Sequence, residues 1–569
     1  MAESANNQWR IFFNNWSLAK AGDYWPHHFM QGEFDYIIVG AGAAGCVLAN
    51  RLSENGRHKV LVLEAGGSDR RFFINMPMGY GKAYYDPTLN WMYRAEPDPG
   101  LAGQADYWPR GKVIGGSSSI NAMVYMRGDA SDFEDWRTAG NVGWGWDNVL
   151  PAFKAMEDNE AGGSAWRGQG GPLFISANDS GRHWTGKAFE EASVAAGMRL
   201  NPDLNSATQE GVGHFQLTVK NGQRNSAARA FLRPALKRRN LAVGSNALVT
   251  RILFQGKRAV GVEYLRNGMT QTARATAEVI VAGGAVNSPQ LLQLSGIGDG
   301  AHLQGLGIAS VHENKNVGRN LKDHQGINYT YRLNVPTLND DLRPWWGKLR
   351  LGLQYLLLRN GPLSISLNQG GGFFRTNPAL TRPNMQLYYQ ALSTLIPKAS
   401  ERPLLSPDPF SGMSLGLSNC RPTSVGEIMA KSPDPSVHPR IKPNAYSTDH
   451  DVQEMLEAVK FIRKIATQKP LADLIVEELR PGPDVQSDAA LIDDLRKRSG
   501  TVYHPCCTCR MSPDMTLGVV DVRLRVHGVE GLRVIDASAF PAILSGNLNA
   551  ASMMIGWRGA EMILADVIP

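Results

Sequence analysis

Near the end of the chain, two short polar stretches interrupt apolar text: Tyr503-His504-Pro505 and Ser545-Gly546-Asn547-Leu548-Asn549. Histidine exchanges a proton near neutral pH. The asparagine amide donates to an oxygen without titrating. Together, His504 as a base and Asn547 as an orienting donor could hold a hydroxyl-bearing molecule. A lone histidine also serves structural roles, and forty-three residues separate the two positions. Their spacing therefore leaves contact between them open.

Such a pair needs a scaffold, and Phe34 to Gly67 supplies a complete nucleotide-binding unit. Phe34, Tyr36, Ile37, Ile38 and Val39 form the apolar run of a buried strand. Gly40, Gly42 and Gly45 follow in the spacing G-x-G-x-x-G, with Ala43 and Ala44 between the last two. Gly45 to Leu52 has the composition of a helix packed on a sheet. Lys59 to Leu63 reads as a second strand that ends in Glu64 and Ala65. Gly40 permits a tight turn, Gly42 lets backbone approach a pyrophosphate, and Gly45 lets helix and strand pack closely. The helix N-terminus offers free N–H groups to the phosphates. Glu64 lies nineteen residues past Gly45, where a carboxylate accepts the hydroxyls of a ribose.

At 569 residues the chain can hold two substantial domains. Its 52 acidic residues interleave with 59 basic ones to leave a net charge of +7. No basic block suits nucleic acid, and a phosphate-bearing cofactor or an anionic surface fits the mild excess. The five cysteines, Cys46, Cys420, Cys506, Cys507 and Cys509, are odd in number and match neither a disulfide framework nor a zinc site. No metal site is expected, and a reduced cytoplasmic setting is the simpler reading, with peripheral membrane contact left open. No secretory signal is visible, and no window reaches the ~18 apolar residues of a membrane span.

Along the chain, Trp9, Phe12, Phe13 and Trp16 would form one aromatic helical face in an N-terminal arm over 1–31. Leu241 to Leu265 alternates like paired strands, and 277–298 reads as strand, sharp turn and helix. The longest amphipathic pattern places Trp345, Leu349, Leu353, Leu356 and Leu357 on one helical face, beside Lys348, Arg350 and Arg359. That face is expected to look into the core, with the basic residues solvated; anionic lipid is the rival reading. There is no internal repeat.

These segments resemble the glucose–methanol–choline oxidoreductase family, and the resemblance covers nearly the whole chain after Gly32. The run from Gly111 to Asn121, continued by Met126-Arg127-Gly128, is similar to the family's first signature. Gly284 to Gly298 is similar to its second. Gly318 to His324 and Val534 to Ser538 are further family-like runs. The bacterial choline and alcohol dehydrogenases are the nearer branch. The resemblance implies an α/β protein: a Rossmann-like FAD-binding domain over 32–157, 226–326 and 499–569, and a discontinuous α+β substrate-binding domain over 158–225 and 327–498. The latter would be an antiparallel sheet flanked by helices.

It also implies roles. Gly40, Gly42, Ala43, Ala44, Gly45, Glu64 and Ala65 would hold the ADP half of FAD. Gly115, Gly116, Ser117, Ser118, Asn121, Ala122, Met123 and Val124 would lie along the pyrophosphate and flavin. Val249 would meet the adenine, Asp536 and Ala537 the phosphates or ribityl chain, and Asn549 the flavin. His504 matches the family's catalytic histidine, and Asn547 its second active-site position. Ile120 stands where some choline-oxidising relatives carry a histidine bonded to the flavin, so FAD is expected to be non-covalent. Cys506-Cys507 departs from the usual pair after His-Pro and reads as two small buried side chains.

The activity implied is oxidation of a primary alcohol to the aldehyde, with His504 taking the hydroxyl proton while hydride passes to flavin N5. The region that should line the pocket includes Tyr388 and Tyr389 and favours aliphatic, aryl or furanic alcohols. Oxygen or a quinone-like molecule would be the electron acceptor. The rivals are a choline dehydrogenase-type activity, a nicotinamide-dependent dehydrogenase, a lyase or photodecarboxylase on the same fold, and a membrane- or partner-binding protein with a vestigial site.

Overall fold

The computed structural model describes residues 32–177, 181–394 and 406–566, so the aromatic arm lies outside the described residues. Two sheets organise the chain. In the first, Leu241–Gly244, Val60–Leu63, Glu33–Val39, the second half of Met269–Val281 and Leu532–Val534 lie side by side and parallel. Val60–Leu63 is buried at every position, as expected of a parallel strand covered on both faces. The Ala43–Ser53 helix packs on this sheet, and the Asn549–Asp566 helix packs on that helix. The first half of Met269–Val281 leaves the parallel set and pairs antiparallel with Arg258–Arg266, which pairs with Ala247–Gln255. The alternation seen over 241–265 therefore belongs to a parallel strand followed by a hairpin.

The second sheet is antiparallel, in the order Ile475–Arg480, Gln325–Leu333, Gly412–Asn419, Met385–Gln390, Gly370–Phe374 and Gly211–His214. The Asp449–Ala466 helix covers it with Val452, Met455, Leu456, Val459 and Ile462, at the three- and four-residue spacing of one helical face. Thr448 caps that helix through the Asp451 N–H. The Thr185–Ala195 and Asp488–Arg498 helices pack alongside. This combination is the fold class expected from the sequence. Gly500–Thr501 then pairs with Gln325 and Gly326 at the edge of this sheet. That pairing returns the chain to the first sheet and sets the residues just outside it, His324 and His504, beside each other.

The Trp345–Leu358 helix overturns the expectation of a core-facing apolar stripe. Its buried positions are Gly347, Leu351 and Tyr355. Tyr355 packs edge-on against Phe72, with ring centroids 6.3 Å apart. Trp345, Trp346, Leu349, Leu353, Leu356 and Leu357 are all exposed. The helix carries two apolar rows, and the shorter one packs.

All five cysteines are buried and free. Burial raises the thiols of Cys46, Cys420, Cys506 and Cys509, so these act as small core side chains rather than thiolates.

Candidate active site

A cavity of about 1170 Å³ runs between the two sheets. Its floor is the end of the parallel sheet and its roof is the antiparallel one, through Ile327, Thr330, Tyr388, Ser414 and Leu417. It exceeds the ~300–1,000 Å³ of ordinary ligand pockets, which leaves room for a dinucleotide and a substrate together.

At the nucleotide end, strand Glu33–Val39 stops at Gly40, whose φ of 102° only glycine adopts readily. A Cβ on Gly45 would lie 1.9 Å from the Gly40 carbonyl oxygen, so Gly45 is dictated by close packing of helix on strand. Gly42 differs: a Cβ there would meet protein only at 3.8 Å. Packing does not demand glycine at this position, which faces the cavity. The Ala43–Ser53 helix opens there with no side-chain cap and no acid in its first turn, as an anion site at a helix N-terminus requires. Glu64 accepts from the N–H groups of Ala41 at 2.9 Å and Gly66 at 2.8 Å. Those two bonds leave half of the carboxylate's lone pairs for ribose hydroxyls. Burial lifts its pKa to about 7.

Ala43, Ala44, Ala65, Ser117, Ser118, Asn121, Ala122, Met123, Val124, Val249, Ala537 and Asn549 also line the cavity. Gly45 and Gly115 do not; they shape the backbone behind it. Gly115 donates its N–H to the Ala41 carbonyl at 2.7 Å, and a Cβ on Gly116 would lie 2.7 Å from the Gly42 Cα. Buried Arg224 donates to the Asn121 side-chain oxygen at 2.8 Å and so orients Asn121. Asp536 reaches the lining but spends its carboxylate on the fold, accepting from the Gly284 N–H at 2.8 Å and from the Ser288 hydroxyl at 2.5 Å.

At the other end His504 sits between two partners. Its Nε2 lies 3.0 Å from Asn547 Nδ2, and its Nδ1 lies 3.0 Å from His324 Nδ1. His324 is fully buried, with Nε2 2.9 Å from the Cys420 carbonyl. The tautomers follow from this geometry. A carbonyl only accepts, so His324 carries its proton on Nε2 and presents a lone pair at Nδ1. His504 must donate Nδ1–H to that lone pair, which leaves its own Nε2 as a base facing Asn547 and the cavity. The amide is fixed in turn: Asn547 Oδ1 accepts from Gln386 Nε2 at 3.2 Å, and Gln386 Oε1 accepts from the Tyr388 hydroxyl at 2.6 Å.

Burial, then His324, then Arg110, holds the His504 imidazole well below its usual range. His324 is lowered by burial to about 4. Both rings are therefore neutral at ordinary pH. Asp323, pushed up by burial to about 7, accepts the His504 backbone N–H at 2.8 Å. Tyr503 and Cys507 flank the His504-Pro505 turn with φ of 71° and 69°, a conformation that costs about 1–3 kcal/mol per residue and concentrates at functional sites. Arg110 Nη2 holds the Tyr503 carbonyl at 2.7 Å.

The structure thus joins His504 and Asn547, which spacing alone did not. Sequence reasoning missed His324, Asp323, Arg110, Arg224 and Gln386 as parts of the site. His324 and Asp323 stood inside the quoted run from Gly318 with no role assigned. Nothing in the spacing marks Arg110, Arg224 or Gln386.

The pattern of the GMC oxidoreductases matches residues 34–326 and again 422–556. The chain belongs to the GMC oxidoreductase family. It is 42% identical over 560 residues to the mitochondrial choline dehydrogenase of Homo sapiens, covering 96% of this chain and 91% of that protein. It is 40% identical over 538 residues to an alcohol dehydrogenase (acceptor) of Pseudomonas putida, covering 94% and 96%. Among solved structures, pyridoxine 4-oxidase from Mesorbium loti superposes with a TM-score of 0.84 at 31% identity, over 93% of this chain and 99% of that one. This GMC oxidoreductase is an FAD enzyme of the alcohol-oxidising kind.

Proposed function

We propose that the enzyme oxidises an uncharged primary alcohol with an apolar body to its aldehyde, with His504 as base and Asn547 as oxyanion donor. The observation that carries this reading is the fixed lone pair of His504 Nε2, 3.0 Å from the Asn547 amide. An alcohol oxygen entering between the two donates its hydroxyl proton to His504 Nε2 and accepts from Asn547 Nδ2. The base is neutral and ready at working pH. As the proton leaves, the amide N–H stabilises the negative charge developing on oxygen. Gln386 and Tyr388 hold that amide in place. Bound FAD supplies the two-electron acceptor for the hydride of the carbinol carbon.

Gly42, the Ala43–Ser53 helix N-terminus and Glu64 would hold the adenosine diphosphate half of FAD. Asn121, Ala122, Met123, Val124 and Asn549 would lie along the flavin. Ile120 has no nucleophilic atom, which favours non-covalent FAD. The division into an FAD-binding part over 32–157, 226–326 and 499–569 and a substrate part over 158–225 and 327–498 belongs to the same reading.

The human relative raises a quaternary ammonium alcohol as the rival substrate, and the carboxylates of the lining offer it no dedicated counter-ion. These carboxylates are Glu64, Asp106, Asp494 and Asp536. Glu64 and Asp536 are committed to backbone N–H groups, Asp106 accepts from the Thr501 N–H at 2.6 Å, and Asp494 pairs with Arg498. Each already has a protein partner, so a quaternary ammonium would have to be held by the aromatic rings of the lining, among them Tyr84, Trp91 and Tyr503. Anaerobic addition of medium-chain or aryl primary alcohols should bleach the flavin absorption, and His504→Ala should keep its flavin while losing ~10²–10⁴-fold in bleaching rate. A flavin bleached by choline and by no uncharged alcohol would refute the assignment.

A further inference from the structure

We infer that the Trp345–Leu358 helix is a membrane-docking element, seating the enzyme on an anionic lipid surface. The inference is independent of the alcohol reading. With Leu351 taken as the inward direction, a rotation of ~100° per residue puts Trp345, Trp346, Leu349, Leu353, Leu356 and Leu357 within about 60° of the opposite, outward pole. All are exposed, Trp345 and Leu357 by 75% and 77%. This is not scattered surface hydrophobicity: the whole outward third of the helix is apolar, while the helix stays anchored through Gly347, Leu351 and Tyr355.

The surroundings select lipid over protein. Lys348 and Arg350 flank the apolar face, and Arg359 closes its end. Lys82 is pulled below the usual lysine range first by burial and then by the like charge of Lys348 beside it. Arg229 is lowered by burial and then by Arg233, with Arg359 adding to the effect. The nearby acids Asp341 and Asp340 are matched by Arg350 and Arg343. Among the described residues Lys348, Lys82 and Arg359 have no ion pair, so the rim of the patch is cationic. Two tryptophans at one end of an apolar face with basic flanks have the composition of an interfacial helix. A second copy docked face to face would bring like-charged rims together. Beyond Gly361 the chain passes through Pro362–Ser364 to Leu367 and Asn368, which line the cavity. A surface held by this helix would therefore lie close to one wall of the site.

The test is co-sedimentation of the full-length holoenzyme with phosphatidylcholine vesicles, with and without one quarter phosphatidylglycerol. The variant carries Trp345→Ser, Trp346→Ser, Leu353→Ser and Leu357→Ser. These side chains are exposed, so flavin content and melting temperature should match the wild type. The wild type should bind the anionic vesicles, lose affinity in high salt, and gain roughly fivefold per engaged cation over neutral vesicles. The variant should bind at least ~10-fold more weakly. Equal binding by the variant, or no binding by the wild type, overturns the proposal. A wild-type dimer that ignores vesicles and dissociates on the same substitutions overturns it in favour of a second copy.

Discussion

His324→Ala tests the relay behind the base without touching the alcohol. His324 Nδ1 is the acceptor for His504 Nδ1–H at 3.0 Å, and its own tautomer is set by the Cys420 carbonyl at 2.9 Å. Without the imidazole, His504 either keeps its proton on Nδ1 with no partner in a buried site or moves it to Nε2. The first option costs about 1–3 kcal/mol for an unsatisfied buried donor. The second turns an N–H toward the Asn547 amide and removes the base. Either way the competent tautomer is disfavoured by about 1–3 kcal/mol, which is roughly 5- to 150-fold in kcat. The loss should be smaller than the ~10²–10⁴-fold expected on deleting the base itself. The assay is steady-state turnover with a soluble dye acceptor, normalised to bound flavin. KM should change little, because His324 does not line the cavity. His324→Asn puts a carbonyl oxygen near the lost lone pair and should recover most of kcat, which a merely structural role would not require. A flavin-loaded His324→Ala enzyme with wild-type kcat would refute the relay and the tautomer assignment with it.

Other consequences concern pH and packing. Because burial, His324 and Arg110 hold the His504 imidazole below its usual 6.5, the acid limb of kcat/KM should fall below pH 6.5; a limb near 7 that vanishes in His504→Gln would contradict this. His324 is lowered to about 4 in the fold from an ordinary 6.5. The unfolded chain therefore binds its proton first, and this contribution to stability is lost as pH falls from 6.5 to about 4. Thermal melts should show His324→Asn gaining on the wild type across that window by up to about 3 kcal/mol, and a constant difference would exclude it. Gly45→Ala puts a Cβ 1.9 Å from the Gly40 carbonyl, so the strand and helix must separate. It should cost at least about 1–3 kcal/mol of stability and most of the bound flavin, measured by melting and absorbance.

The nucleotide unit was legible because its parts lie within a short stretch and each glycine acts through local backbone geometry. Strand, turn and helix came out as read, with Glu64 just past the second strand. The apolar helix was misread: periodicity identified one row, Trp345, Leu349, Leu353, Leu356 and Leu357, and assigned it to the core, whereas the row that meets protein is Gly347, Leu351 and Tyr355. Tyr355 meets Phe72, a neighbour far away in the chain, and Gly347 and Leu351 turn inward on the same side of the helix.

By itself, the sequence determined a dinucleotide-binding α/β chain with a histidine and an asparagine at suitable places. It did so because helix, strand and turn preferences operate over a few residues. The tertiary structure alone decided which atom of His504 is the base. That choice depends on a hydrogen-bond chain from the Cys420 carbonyl through His324 to His504 and Asn547, whose first link spans 96 residues and second 180. Only the pairing of Gly500–Thr501 with Gln325 and Gly326 brings the two histidines together. No local preference encodes a proton's position on one ring nitrogen; the nearest buried acceptor does, and the fold chooses that neighbour.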